Sequence, residues 1–330
     1  MSRAVPKMAP KDIAQPLKVE DKGASNIRPP GDWQAGSKRR ITDMQYLCPN
    51  TVDEAVGLLA RQPGGCKILA GGTDLLVRMR SGFAEPEAIL DIKRIDEVQR
   101  ISEEDGGFRI GAAVPSAQMS EHAALATAWP GVVEAASLIG STQIQGRATI
   151  AGNLCNASPA ADSVPALVAA GAMARIAGPD GTRDVAVEDI PQSPGRTSLG
   201  AGEFVTSIFL PARGPSAGDA YLRFIPRTEM DIAVVGCGVS LAFDAAGKCT
   251  AARVALGAVG PKVILAEAAG QALLGTTVDD KALEALAAAA SAAATPISDK
   301  RGTVVFRTHV AGVLARRAAV IARTRAGGSA

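Results

Sequence analysis

The chain has 330 residues, enough for two domains, and 35 Lys and Arg stand against 33 Asp and Glu. That near balance offers no basic field for nucleic acid, and 3% aromatics leave little for base stacking. Two histidines (His122, His309) and five cysteines without a Cys-x-x-Cys spacing argue against a His-rich metal site, a zinc ribbon or a compact iron–sulfur loop.

In chain order, residues 1–40 mix Pro, Lys, Asp, Gly and Ser without periodicity and read as an irregular extension. Residues 1–22 lack the apolar centre of a signal peptide, and no apolar run approaches the ~20 residues of a membrane helix. A cytoplasmic chain without a membrane span is therefore expected. Thr51, with Glu54 three residues on, forms a capping box for a helix over 52–61 that Pro63-Gly64-Gly65 stops. Residues 67–70 read as a short buried strand running into Gly71-Gly72-Thr73-Asp74, with one or two helical turns over 75–80. Strands are expected over 88–92 and 108–114. A helix starts at Pro115 or Ser116 and ends before Trp129, and a second covers 132–139. The stretch 140–153 is rich in Gly and hydroxyl residues and reads as loop, and 162–171 as an apolar helix. A strand over 203–211 leads to a linker over 213–218. A hairpin of strands 232–243 and 250–259 follows, then helices over 264–274, 280–294 and 308–323. Sheet first and helices after make the C-terminal part an α+β layer.

Two segments, 70–74 and 149–153, share a physical character. Small residues let backbone N–H groups approach an anion, and a helix start adds a favourable dipole. Two such loops can clasp a pyrophosphate from both sides, although a lone Gly-Gly pair is also an ordinary tight turn. Other signatures fail. Gly236-Cys237-Gly238 lies in an expected strand and lacks a third glycine. Gly247-Lys248 lacks the earlier glycine of a P-loop, and no Gly-x-Ser-x-Gly or His-Glu-x-x-His occurs.

Four segments in order then carry a resemblance. The first is Lys67-Ile68-Leu69-Ala70-Gly71-Gly72-Thr73-Asp74-Leu75. The second is 148–162, containing Thr149-Ile150-Ala151-Gly152-Asn153 and ending at Asp162. The third is 221–231, with Arg223, Arg227 and Asp231, and the fourth is 256–261. From about Ile41 to about Arg323 the chain resembles the FAD-binding medium subunits of molybdenum hydroxylases, the xanthine dehydrogenase and carbon monoxide dehydrogenase family.

The resemblance implies an α+β protein. A two-lobed PCMH-type FAD-binding domain would span 41–213, with lobes at about 41–95 and 96–213. A smaller α+β domain of antiparallel sheet and helices would span 217–324. It implies FAD contacts from Lys67, Ile68, Leu69, Ala70, Gly71, Gly72, Thr73, Asp74 and Leu75, and from Thr149, Ala151, Gly152 and Asn153 in the other lobe. Asp162 would reach the adenosine end, Val205 would offer an apolar surface, and Arg223 would face the reduced flavin where many relatives have Lys. Asp231 reads equally well as an ion-pair partner for an arginine. No residue is expected to act as a catalytic acid or base. FAD is expected to be noncovalent, because His122 and His309 are remote from the motifs and Cys155 occupies an apolar position.

The implied partners are a large molybdopterin-binding subunit and a small subunit with 2Fe–2S clusters, together a dimer of heterotrimers. Electrons would pass from the clusters through FAD to an external acceptor. Two departures stand out. Ala151 replaces a glycine common in relatives, so a shifted loop is expected there. The cysteine-rich insertion of some relatives is absent, so no 4Fe–4S cluster is expected. A stand-alone PCMH-fold flavin reductase, resembling the UDP-N-acetylenolpyruvoylglucosamine reductases, is the alternative; segments 221–231 and 256–261 favour the hydroxylase family.

Overall fold

Ala88, Ile89, Leu90 and Asp91 are buried one after another, the pattern of a strand covered on both faces. In the computed structural model, which describes residues 44–62 and 64–327, they form the centre of a parallel sheet. The elements here are strand β1 (Gln45–Leu47), helix α1 (Val52–Ala60), strand β2 (Cys66–Leu69), helix α2 (Leu75–Arg80) and strand β3 (Ala88–Asp91), with β3 between β1 and β2. The capping box forms with a small offset. Thr51 Oγ1 accepts from the Glu54 N–H at 3.2 Å, while the Glu54 carboxylate accepts from the N–H of Asn50 at 2.8 Å, one residue before the cap. The extension over 1–40 and the helix stop at Pro63 lie outside the described residues.

A second sheet follows, built from strands distant in sequence. Strands β4 (Ile101–Glu104) and β5 (Gly107–Gly111) precede a run of short helices. These are α3 (Ser116–Glu121), α4 (Ala123–Ala128), α5 (Pro130–Ser137), α6 (Thr142–Gln145), α7 (Ile150–Cys155) and α8 (Ser163–Ala169). Strands β6 (Met173–Gly178) and β7 (Gly181–Ala186), a hairpin of β8 (Pro191–Ser193) and β9 (Arg196–Thr197), and strand β10 (Phe204–Leu210) complete this part. The sheet order is β4-β5-β10-β6-β7, with every pair antiparallel. Phe204 and Ile208 of β10, Ile110 of β5 and Ile176 of β6 share one core with Val132, Ile150, Leu154 and Leu167 of the helices.

The last part is an antiparallel sheet of β11 (Ala217–Phe224), β12 (Val235–Phe243), β13 (Cys249–Gly257) and β14 (Ile264–Leu265). Helices α9 (Glu267–Gln271), α10 (Asp280–Ala293) and α11 (Val304–Arg325) follow it. Val239 and Leu241 of β12 join Leu283, Leu286 and Leu314 in a second core. Helix α8 of the preceding part packs on β12 and β13. There Gly238 is a packing device, since a Cβ would stand 2.4 Å from the Pro165 carbonyl oxygen. Among the described residues no helix is long and apolar enough to cross a membrane.

The structure departs from the sequence expectations where tertiary pairing overrides local pattern. The helix expected to run from 115 or 116 to before Trp129 breaks at His122, whose Nδ1 caps α4 by accepting from the Leu125 N–H at 3.2 Å. Residues 264–265 pair with β13 instead of starting a helix, which leaves α9 short. Ala217 and Gly218, read as linker, pair with Ala242 and Leu241. Helix α11 starts earlier than expected because Thr303 caps it, accepting from the Phe306 N–H at 3.2 Å.

Asp91 ties the first sheet together. Its nearly buried carboxylate accepts from the Lys93 N–H at 3.0 Å, from Lys93 Nζ at 2.6 Å and from the hydroxyl of Tyr46 on β1. Burial alone would raise this carboxyl; the bonds from Lys93 and Tyr46 outweigh it and hold the group below the usual carboxylate range. A depressed folded pKa gives stability that is present above the unfolded pKa and lost as pH falls through the folded one. Acid unfolding followed by circular dichroism should show this loss beginning below about pH 4. Asp91→Asn should lower stability at pH 7 and flatten that acid limb.

Candidate functional site

The turn after β2 and the start of α7 meet at one cleft of about 330 Å³. Lys67, Ile68, Ala70, Gly71, Gly72, Thr73, Asp74 and Leu75 line it from the first sheet. Thr149, Ala151, Gly152 and Asn153 line it from α7 and its cap, and Val205 from β10. Two segments far apart in sequence, alike in small-residue character, thus line one cleft.

Backbone contact sets their approach. Gly71 lies so close to the chain before α7 that a Cβ would stand 2.0 Å from the Arg147 carbonyl oxygen. Gly72 has φ +80°, the left-handed region that favours glycine, and a Cβ there would meet Leu69 Cδ1 at 2.8 Å. Leu69 therefore supports the turn from the core and is not in the cleft lining. The Gly72 carbonyl accepts the Leu76 N–H at 3.1 Å and so starts α2. The N–H groups of Gly71, Gly72, Thr73 and Asp74 find no backbone acceptor within the described residues. Successive undonated N–H groups along a cleft suit an anion.

The facing segment is a helix start, not the loop expected over 140–153. Thr149 is the N-cap of α7: its Oγ1 accepts from the Gly152 N–H at 2.9 Å and its carbonyl from the Asn153 N–H at 2.9 Å. The Thr149 oxygen is thus committed to the cap, and the N–H of Ala151, which lines the cleft, remains for a ligand. Ala151 is helical with negative φ, so its methyl shifts nothing; the expectation of a displaced loop is corrected. Asn153 Oδ1 accepts from Ser163 N at 3.1 Å and Ser163 Oγ at 2.7 Å, which turns its NH2 group free. Cys155 also lines the cleft, and burial pushes its thiol up to about 12, so it is no ready nucleophile.

Asp162 and Arg223 are brought to each other rather than into the cleft lining. Arg223 Nη1 on β11 stands 2.9 Å from Asp162 Oδ2 at the start of α8, and the Tyr221 hydroxyl donates to Asp162 Oδ1 at 3.4 Å. Burial raises the Asp162 carboxyl, while Arg223 and then Tyr221 pull it back. Asp231 pairs with Arg227 at 3.3 Å and accepts from the Ile232 N–H at 2.8 Å. The sequence reading missed several lining residues: Arg78, Ile139, Asn156, Gly195, Thr197 and Leu199. The Asp74–Arg78 spacing of four on a helix could have marked Arg78. The residues around β9 carry no local signal. Among the described residues no cluster of three or more His, Cys, Asp or Glu side chains is placed to hold a metal ion.

Two family descriptions account for most of the chain. "FAD binding domain in molybdopterin dehydrogenase" matches residues 42–213, and "CO dehydrogenase flavoprotein C-terminal domain" matches 220–321. The carbon monoxide dehydrogenase medium chain of Afipia carboxidovorans is 34% identical over 281 residues, 85% of this chain and 97% of that one. The chain belongs to the FAD-binding medium subunits of the molybdenum hydroxylases. As such it is an oxidoreductase flavoprotein subunit. The xanthine dehydrogenase FAD-binding subunit of Escherichia coli O157:H7 is 31% identical over 280 residues, 84% of this chain and 95% of that one. The solved carbon monoxide dehydrogenase of Hydrogenophaga pseudoflava aligns with a TM-score of 0.82 at 34% identity, covering 86% of this chain and 98% of its counterpart. The medium-subunit fold, an α+β FAD-binding domain followed by an antiparallel sheet with helices, is the fold described above.

The cleft of this medium subunit fits the pyrophosphate of FAD, because undonated N–H groups line it from both sides and no side chain fills the Gly71 contact. In Gly71→Val the added atoms force the two segments apart. Overpacking of about 1–3 kcal/mol should weaken FAD retention roughly tenfold or more. Flavin absorbance per chain measures this, and circular dichroism should stay unchanged. Arg223→Met should cost about 3–5 kcal/mol of stability, because it leaves the Asp162 carboxylate buried and unpaired. Thermal melts should show part of that loss recovered in Asp162→Asn/Arg223→Met.

Proposed function

We propose that this medium subunit holds FAD noncovalently and carries electrons from the 2Fe–2S clusters of a small partner subunit to an external acceptor. A large molybdopterin-binding subunit would hydroxylate the organic substrate, and the whole would assemble in the cytoplasm as a dimer of heterotrimers. The observation that carries the reading is the meeting of the 70–74 turn with the α7 start at one cleft.

FAD, when bound, supplies the exchange between one-electron and two-electron chemistry. The residues of this chain bind and orient. The N–H groups of Gly71, Gly72, Thr73 and Asp74, with that of Ala151, donate to pyrophosphate oxygens. The free NH2 of Asn153 adds a side-chain donor, Gly152 keeps the helix start open, and Lys67 contributes positive charge. Ile68, Ala70, Leu75 and Val205 exclude water, and Leu69 braces the turn from behind. The desolvated thiol of Cys155 supports a noncovalent cofactor. Asp162 and Arg223 enter this reading as a mutually neutralised pair, a fixed charge distribution rather than a mobile cation at the flavin. The domain boundaries that go with it are 41–213, with lobes parting near 95, and 217–324.

The native complex tests the proposal. Purified through this chain, it should show a flavin spectrum released by denaturation, together with molybdenum and iron in the associated chains. A chain without flavin, or one that works alone as a reductase without molybdenum and iron, would overturn the reading.

A further inference from the structure

A fully buried hydroxyl lies behind the cleft without lining it. Ser116, 0% exposed, is the first residue of α3, and it spends both of its donors on one distant carbonyl. Its N–H donates to the Ala148 carbonyl at 2.8 Å and its Oγ to the same oxygen at 3.1 Å. A carbonyl oxygen has two lone pairs and can accept both. The first N–H groups of a helix have no partner inside it, so the N–H of Ser116 is available for this contact. The hydroxyl is not needed by α3 itself, because Pro115 is the N-cap and no side chain caps the helix. A buried hydroxyl is costly unless it is bonded, and the Ala148 carbonyl is the partner that offsets the cost here.

Ala148 is the residue between the two contacts on which the cleft depends. Arg147 before it carries the carbonyl that faces Gly71, and Thr149 after it caps α7. The Ala148 N–H donates to the Ile144 carbonyl at 2.8 Å, so both polar groups of this residue are fixed. Its carbonyl shares a peptide plane with the Thr149 N–H, and turning that plane would turn the extended Thr149 backbone that the cap requires. Helix α3 can hold the position because it is anchored in turn. Ser120 Oγ of α3 stands 2.8 Å from Ser137 Oγ of α5, and Gln145 Nε2 of α6 donates to the Ser137 carbonyl. Three short helices and the 147–149 segment thus close a ring of polar contacts behind the cleft. Among these contacts the Ser116–Ala148 pair is the fully buried one, where a hydrogen bond is electrostatically strongest.

We infer that Ser116 is a positioning residue of the cofactor site. It touches no cofactor. By holding the Ala148 carbonyl it sets the Thr149 cap and the Arg147–Gly71 approach together, and so aims the Ala151 N–H and the Asn153 amide at the pyrophosphate. The inference rests on the reading of the cleft as the FAD site. One buried hydrogen bond of this kind corresponds to about three- to tenfold in an equilibrium constant.

Ser116→Thr and Ser116→Val isolate the hydroxyl, since both side chains are β-branched and differ in one hydroxyl against one methyl. Ser116→Ala removes the hydroxyl without adding volume and serves where the β-branched variants do not fold. Each full chain, purified in its native complex and freed of flavin, is titrated with FAD by flavin fluorescence well below its melting temperature. ADP is the competitor, because it carries the pyrophosphate without the flavin. Ser116→Val should bind FAD about three- to tenfold more weakly than Ser116→Thr, and Ser116→Ala should lose a similar factor against wild type. The ADP competition should shift in parallel. A lower melting temperature with unchanged FAD and ADP affinity would reduce Ser116 to a structural residue and overturn the inference. So would a weakened FAD affinity with unshifted ADP, which places the effect away from the pyrophosphate. A wild-type chain that binds neither FAD nor ADP would overturn the FAD reading itself, and with it this inference.

Discussion

The approach of Gly71 to the Arg147 carbonyl is the constraint on which the site depends. The turn after β2 and the chain before α7 run backbone against backbone, and any side chain at Gly71 would occupy the space of that carbonyl. Undonated N–H groups come to line one cleft only because this contact is so short. The chemistry of the site is therefore mostly main-chain chemistry. Side chains cap, brace or exclude water: Thr149 caps α7, Leu69 lies under the turn, and Asn153 is held by Ser163. This suits a protein with few histidines and scattered cysteines, since backbone donors need neither titration nor redox chemistry.

Helix α8 is the second organising element because it belongs to the first core and also packs on the C-terminal sheet. Its residues from Ser163 to Ala169 are all buried, on one side by α5 and α7 and on the other by β12 and β13. The Gly236-Cys237-Gly238 run, which could be mistaken for a fragment of a nucleotide motif, is the answer to this packing. Cys237 points with Val235 and Val239 into the C-terminal core, and Gly238 lets the Pro165 carbonyl come close on the opposite face. The Asp162–Arg223 pair spans the same junction, so the two domains are joined by both packing and charge.

Much of this was legible in the sequence. Thirteen of the sixteen residues that the resemblance implies line one cleft, and the small-residue character that the sequence itself shows over 70–74 and 149–153 reports the close backbone approach found there. Leu69, Asp162 and Arg223 do not line it. Leu69 alternates into the core as a strand residue must, and Asp162 and Arg223 satisfy each other across a junction that no local pattern encodes. The α7 start reads as loop in the sequence because the glycine and hydroxyl residues that cap a helix also make turns. The missed lining residues around β9 come from a short hairpin with no hydrophobic periodicity, and only its fold against the cleft makes them neighbours. Element ends failed where a partner strand decided the matter, as at Ala217 and Ile264.

The shared helix also orders events during synthesis. A ribosome delivers α8 well before β12 and β13, the strands that cover its second side. Until those strands emerge, a nascent chain with its Gly71–Thr149 cleft already encoded carries a bare apolar flank, the kind of surface that draws chaperones or sticks to other chains. The C-terminal sheet is thus an internal cover for the N-terminal half. A fragment cut before Val235 would keep every main-chain donor of the cleft and still begin life with that flank exposed to water.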